Sequence, residues 1–144
     1  MLNKKLKLKI ITPERTVLEE EVDQVSIPTT EGEITVLPGH IALVCALKSG
    51  DIVAKNGDEI IPMAVAGGFI EIKNDEVAVL ADFAELVGDI SEDVVEKAKA
   101  RAQELQKMKD NGEVVDFEHF ESELERSLTR AKVADKWRNK KYRL

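Results

Sequence analysis

The chain has 144 residues, with 28 acidic against 21 basic side chains and a formal net charge of −7. That balance argues against nucleic acid as the main partner, because phosphate recognition wants a basic surface. Cys45 is the only cysteine, which excludes an internal disulfide framework and a cysteine-based zinc cluster.

Read from the N-terminus, Leu6, Leu8 and Ile10 alternate with Lys5, Lys7 and Lys9, the period-two pattern of a half-buried strand. Val22, Val25 and Ile27 mark a second β-rich stretch. The run Thr30-Glu31-Gly32-Glu33-Ile34-Thr35-Val36-Leu37-Pro38-Gly39-His40 then reads as turn, strand, tight turn. Gly32 can supply the positive φ of a turn, and Pro38 cannot donate to a ladder, so the strand should end at Leu37. Cys45 lies in the apolar run from Ile41 to Leu47 and reads as a buried, inert thiol. Asn56-Gly57 predicts a hairpin with a type I′ turn. Gly67-Gly68 predicts a bulge or a close backbone approach. Phe69–Ile72 and Glu76–Leu80 flank a further turn at Lys73-Asn74-Asp75. Many short strands with regular turns, from about residue 5 to 87, imply a sandwich or a barrel. Its aliphatic core is expected to run from Leu6 through Leu80 and to need nothing from the rest of the chain.

The period changes at Gly88. Beyond Ser91 the sequence fills with strong helix formers. Ser91 can cap a helix, with Glu92 and Asp93 at its positive end. Val94, Ala98, Ala102, Leu105 and Met108 recur on one helical face, and Asp110-Asn111-Gly112 ends that helix. A second helix is predicted from Asp116, with Phe117, Phe120, Leu124, Leu128 and Ala131 as its apolar stripe. Two such helices joined by a short loop make an antiparallel hairpin. Its buried face is thin and alanine-rich, so its stability should be conditional.

Little in the chain suggests catalysis. His40 and His119 are the only histidines, neither stands in an acid–nucleophile arrangement, and the acids show no calcium-loop spacing. There is no Walker or Rossmann glycine pattern, and Gly67-Gly68 precedes a strand, not a helix. No metal and no cofactor is expected. No apolar run nears the roughly 20 residues that span a bilayer, and no signal-peptide core is visible, so a cytoplasmic setting is expected. The second helical region is polarised: Asp110 to Glu125 is acidic, whereas Arg130, Lys132, Lys136, Arg138, Lys140, Lys141 and Arg143 face only Asp135. Two compatible readings stand: charges complementing the helix dipole, or a basic arm built to meet an acidic partner surface.

The Glu31-Gly32-Glu33 turn, the Leu37-Pro38-Gly39-His40 turn, Ala66-Gly67-Gly68-Phe69 and Val77-Ala78-Val79-Leu80-Ala81-Asp82 occur in the order found in one family. The chain resembles the epsilon subunit of the bacterial rotary (F-type) ATP synthase over nearly its whole length. The resemblance implies an N-terminal β-sandwich (1–87), docking on the gamma stalk and c-ring, and a C-terminal antiparallel α-helical hairpin (88–144) with a regulatory role. It implies a non-catalytic central-stalk subunit, peripheral on the cytoplasmic face of the cell membrane, that couples ion-driven ring rotation to ATP synthesis. Glu31, Gly32, Glu33, Pro38, Gly39 and His40 become the candidate ring- or gamma-facing residues. Arg126, Arg130, Lys132, Lys136 and Arg138 become an inhibitory arm, directed at the alpha and beta subunits of the catalytic head when the hairpin extends. The family's ATP-sensing motif, Ile/Leu-Asp-x-x-Arg-Ala, falls on Ile90-Ser91-Glu92-Asp93-Val94-Val95. Ile90 fits, but Ser91, Val94 and Val95 replace Asp, Arg and Ala, while Arg126 and Arg130 stand where related chains carry nucleotide-holding arginines. ATP binding is therefore expected to be weak or absent. Without the resemblance, a stand-alone sandwich adaptor with a mobile helical arm, or a small hydrolase using the acids at Glu31–Glu33, would remain open.

Overall fold

A computed structural model describes residues 4–113 and 116–142. The strands are β1 (Leu6–Ile11), β2 (Thr16–Val22), β3 (Gln24–Thr29), β4 (Gly32–Val36), β5 (Leu43–Ala46), β6 (Gly50–Asn56), β7 (Glu59–Lys73) and β8 (Glu76–Leu86). A 3-10 turn at Val87–Asp89 leads into α1 (Glu92–Asp110) and α2 (Phe117–Trp137). The eight strands form a β-sandwich and the two helices a hairpin. The strand order is β2-β1-β8-β7-β6-β3-β4, with β5 also paired to β7. Only β1 and β8 run parallel among the described pairs.

The long strand β7 links the two layers. Glu59–Val65 pairs with β6, whereas Phe69–Ile72 pairs with β5. Gly67 and Gly68 sit at the changeover with φ of +69° and +115°. The register to β8 is the same on both sides, from Ala66↔Phe83 to Gly68↔Ala81, so no bulge is inserted. The glycines serve the other expectation, close approach: a Cβ on Gly68 would lie 2.9 Å from the Ala81 Cα and closer still to the Leu80 carbonyl.

The alternation read in β1 is present, with Leu6, Leu8 and Ile10 buried in a core shared with Val25, Ile27, Ile52, Met63, Ile70 and Val79. Every residue of this core belongs to the sandwich. Leu80 does not join it. Val77, Val79 and Ala81 point inward, so strand alternation turns Leu80 out, where it is 50% exposed. The core continues instead to Ala81 and Ala84. Strand β4 ends at Val36, one residue before Leu37.

Two turns differ from expectation. Asn56 pairs with Glu59, so the first hairpin turns on Gly57-Asp58, and of these only Gly57 has positive φ. The cause is an anchor: the Asp23 carboxylate accepts the Gly57 N–H at 2.6 Å, and Lys5 donates to both Asp23 (2.6 Å) and the Asn56 side chain (2.7 Å). The type I′ pattern occurs in the second hairpin, at Asn74 and Asp75, with φ of 51° and 60°. Cys45 is half-buried on β5, and burial pushes its thiol pKa up, which keeps it protonated.

Both helix starts are capped, at Ser91 as expected and also at Asp116, expected only as the start of the second helix. Ser91 Oγ accepts the Val94 N–H at 3.3 Å, and Asp116 Oδ1 accepts that of His119 at 3.2 Å. The buried face of α1 is Val95, Ala98, Ala102 and Leu105, with Val94 and Met108 half-buried. On α2 the expected stripe is displaced. Phe120, Leu124 and Ala131 are buried, but Phe117 and Leu128 are more than half exposed. Thr129, Val133, Ala134 and Trp137 are buried with the first three, because α2 packs on the sandwich as well as on α1. Two apolar clusters result. The distal one, Ala102, Leu105, Phe120 and Leu124, lies within the hairpin. The proximal one joins Val95, Ala98, Ala131, Val133, Ala134 and Trp137 to Ala64 and Val87 of the sandwich.

Candidate functional surfaces

The motif from Glu31 to His40 is divided by β4. At one end, the buried Thr29 hydroxyl accepts the Glu31 N–H at 3.2 Å and donates to the Gly32 carbonyl, which pins the β3–β4 turn with Glu31, Gly32 and Glu33 exposed. Gly32 has φ +113°, and a Cβ at this position would meet nothing within 4 Å. At the other end, the Gly39 N–H donates to Asp75 Oδ1 at 2.6 Å, tying the Pro38-Gly39 turn to the β7–β8 turn. The His40 N–H closes that turn onto the Leu37 carbonyl at 3.1 Å, and its Nδ1 donates to the Ile41 carbonyl at 2.7 Å. The half-buried His40 thus holds a loop shape. At a rise of about 3.3 Å per residue, the five residues of β4 separate the two turns by about 13 Å. They are two sites on one sandwich.

The sheet also carries an apolar row. Register aligns Ala46, Phe69 and Leu80 across β5, β7 and β8, and Ile11 of β1 continues it. Phe69 is 61% exposed, and Val44, two residues from Ala46 on β5, is 68% exposed. Leu37 and Ile41, on either side of the Pro38–His40 turn, are also exposed. Large apolar side chains grouped on a sheet face in water mark an interaction surface.

The third surface is the seam between the hairpin and the sandwich. Arg126 Nη2 donates to the Asp82 carbonyl at 3.1 Å, and Arg130 Nε donates to Glu85 Oε2 at 2.8 Å. Both guanidinium groups stand over the Phe83 ring, 5.8 and 5.1 Å from its centroid. Lys136 Nζ and Trp137 Nε1 both donate to Asp51 Oδ2, at 2.8 and 3.0 Å. Arg138 donates to Asp135 of its own helix, and the exposed Lys132 lines a groove with Ser49, Glu121 and Glu125. Of the five expected arm residues, three are therefore spent on the sandwich when the hairpin is folded down. Arg143 lies outside the described residues.

Val94 lines a hollow of about 480 Å³ with Phe83, Lys97, Arg101, Glu123, Arg126 and Arg130. Ile90 and Val95 are buried in the seam and the Ser91 hydroxyl is used as a helix cap. Arg101 crosses from α1 to grip both oxygens of Glu123 at 2.7 and 3.2 Å, which holds the Glu123 carboxyl below its usual range. The hollow keeps its arginines, but an apolar Val94 and an already committed Ser91 stand where the motif has Arg and Asp. Among the described residues, no group of three or more His, Cys, Asp or Glu could hold a metal ion, and no helix is long and apolar enough to cross a membrane.

Sequence reasoning missed Asp51, Phe83, Glu85 and Trp137. Their pairing spans up to 86 residues of chain, and only Trp137, a lone tryptophan in a hydrophilic terminal stretch, carries a signal in the sequence that could have marked it as an anchor.

The sequence pattern of the ATP synthase, Delta/Epsilon chain, beta-sandwich domain matches residues 5–87. An ATP synthase epsilon chain from Desulforamulus reducens is 39% identical over 90% of this chain and 96% of its own length. One from Halalkalibacterium halodurans is 42% identical over 90% and 96%, and one from Dehalococcoides mccartyi 43% over 93% and 95%. Among solved structures, a chain of the Euglena gracilis mitochondrial ATP synthase (OSCP/F1/c-ring) superposes with a TM-score of 0.62 at 21% identity, covering 91% of this chain and 78% of that one. A chain of the Tetrahymena thermophila central stalk/c-ring superposes at 0.56 with 13% identity, covering 92% and 96%. The two structures share the fold; sequence identity of about 40% along nearly the full length carries the assignment, and the chain belongs to the ATP synthase epsilon chain family.

Proposed function

We propose that this chain works as a non-catalytic central-stalk subunit, peripheral on the cytoplasmic face of the membrane, with the sandwich as docking unit and the hairpin as a regulatory arm. The observation that supports this most is the cross-strand row of Ile11, Leu80, Phe69 and Ala46, exposed at Phe69 and Leu80, on a sandwich whose core closes without the hairpin. The row offers an apolar seat for the gamma stalk. The β3–β4 turn, with Glu31, Gly32 and Glu33, faces the c-ring. The hairpin, released from the seam, presents Arg126, Arg130, Lys132, Lys136 and Arg138 to the alpha and beta subunits and slows ATP hydrolysis. ATP binds weakly or not at all at the hollow beside Val94.

The test is reconstitution of the complex with Phe69→Glu/Leu80→Glu and, separately, with residues 89–144 removed. The double substitution is expected to abolish incorporation while the isolated chain keeps its strand signal. The shortened chain is expected to incorporate and to leave ATP hydrolysis faster than wild type. Normal incorporation of the double variant overturns the docking assignment, and unchanged hydrolysis without the hairpin overturns the regulatory one.

A further inference from the structure

We infer that Asp51 and Trp137 form the latch that holds the helical arm down on the sandwich. The distal apolar cluster, Ala102, Leu105, Phe120 and Leu124, lies within the hairpin, and this part of the arm meets the sandwich through polar contacts, Ser49 with Glu125 at 2.6 Å and Arg126 with the Asp82 carbonyl at 3.1 Å. The arm's apolar contact with the sandwich lies in its proximal half, where the α2 residues in the shared cluster are Ala131, Val133, Ala134 and Trp137. Trp137 is the one large side chain among these four. It is 8% exposed, and a buried indole N–H requires an acceptor. Asp51, on β6 and 86 residues away in sequence, supplies it.

The same carboxylate oxygen also accepts from Lys136, so two successive residues of α2 converge on one atom of the sandwich. The Asp51 side chain is 16% exposed, which shields this pairing from solvent more than a surface ion pair. Lys140 and Tyr142 fold around the same indole: Lys140 Nζ lies 5.2 Å from the ring centroid, and Tyr142 meets it edge-on at 6.3 Å. The hollow here is lined by Glu33, Asp51, Lys55, Lys136, Lys140 and Lys141 as its charged groups. With Asp51 neutralised, Glu33 is the one acid left facing four lysines, so the arm's own charge would favour its departure. The latch therefore combines a desolvated indole with an acid whose charge balances the surrounding lysines. The consequence of its release for hydrolysis rests on the regulatory role proposed above; the latch itself does not.

Trp137 is the only tryptophan in the chain, so its fluorescence reads the latch directly. In the isolated full-length chain, wild type is expected to show blue-shifted emission and protection from acrylamide. Asp51→Asn is expected to lower the ratio of latched to unlatched arm by about tenfold, the effect of losing a charge-assisted hydrogen bond. It reads as a red shift and faster quenching, with the amide protection of β1 and β8 retained. Trp137→Phe leaves the sandwich untouched and keeps the apolar ring. It is expected to speed amide exchange over residues 131–137, because Asp51 loses a donor. Unchanged emission and quenching in Asp51→Asn, or unchanged exchange in Trp137→Phe, overturns the latch. Both readouts use the chain alone, so a complex that ignores Asp51→Asn while the fluorescence responds would count against the regulatory role and leave the latch standing.

Discussion

Gly32 and Gly68 have nearly the same φ, +113° and +115°, yet their alanine variants should differ in stability. At Gly32 a Cβ meets nothing within 4 Å, so Gly32→Ala costs only the backbone strain of its positive φ, about 1–3 kcal/mol. At Gly68 the Cβ would stand 2.9 Å from the Ala81 Cα and closer to the Leu80 carbonyl, both backbone atoms of β8. Neither can swing aside as a side-chain end could. Backbone strain of about 1–3 kcal/mol adds to overpacking of about 1–3 kcal/mol, giving a loss of about 2–6 kcal/mol. Urea unfolding of the full chain, followed by strand circular dichroism, measures both. A Gly68→Ala variant no less stable than Gly32→Ala would refute the reasoning, since the β7–β8 contact would then be compliant. The same contrast makes Gly32 the better probe of function. Gly32→Val, on a turn pinned by Thr29, should leave a folded, assembling subunit and loosen the coupling of ion flow to synthesis more than it lowers stability. Unimpaired ion pumping in the reconstituted complex would remove that turn from the ring-facing surface.

A fragment ending at Gly88 should fold, because Leu6, Ile27, Ile70, Val79 and their partners bury one another without α1 or α2; a disordered amide spectrum would show that the hairpin is needed. Calorimetry on the isolated chain should detect no tight ATP binding, and micromolar affinity would mean that Arg126, Arg130 and a different partner suffice without the motif's Asp and Arg, which Ser91 and Val94 replace. The Gly57 N–H and Lys5 hold the Asp23 carboxyl below its ordinary 3.8, so its contribution to stability is present above that value and is lost as pH falls through the depressed one. Asp23→Asn should therefore flatten the acid limb of the stability profile below about pH 4 and leave its shape near neutrality unchanged. An acid limb identical to wild type would locate that sensitivity elsewhere, for instance at Glu123.

Local chemistry was sufficient for much of this molecule. The Leu6/Leu8/Ile10 alternation, the cap at Ser91, the start of the second helix at Asp116 and the change of period at Gly88 each depend on neighbours a few residues apart, and each stands in the structure where the sequence places it. What the sequence could not contain was the meeting of distant segments. Leu80 looked like core because it is apolar, but it faces outward because Val79 and Ala81 already fill the interior and a strand alternates. Leu128 looked like part of the stripe facing α1, but α2 packs against two bodies, so its buried face is set by the sandwich as well. The basic residues of α2 were legible as a charged run; that Arg130 meets Glu85 and Lys136 meets Asp51 was not. The Glu31–His40 motif could be read from its residues and still hide its division, because β4 places its two turns at opposite ends. Secondary structure follows from backbone preference and periodicity over one or two turns of chain. Sites such as the seam and the apolar row arise from strand register and helix docking, which only the folded chain brings into being.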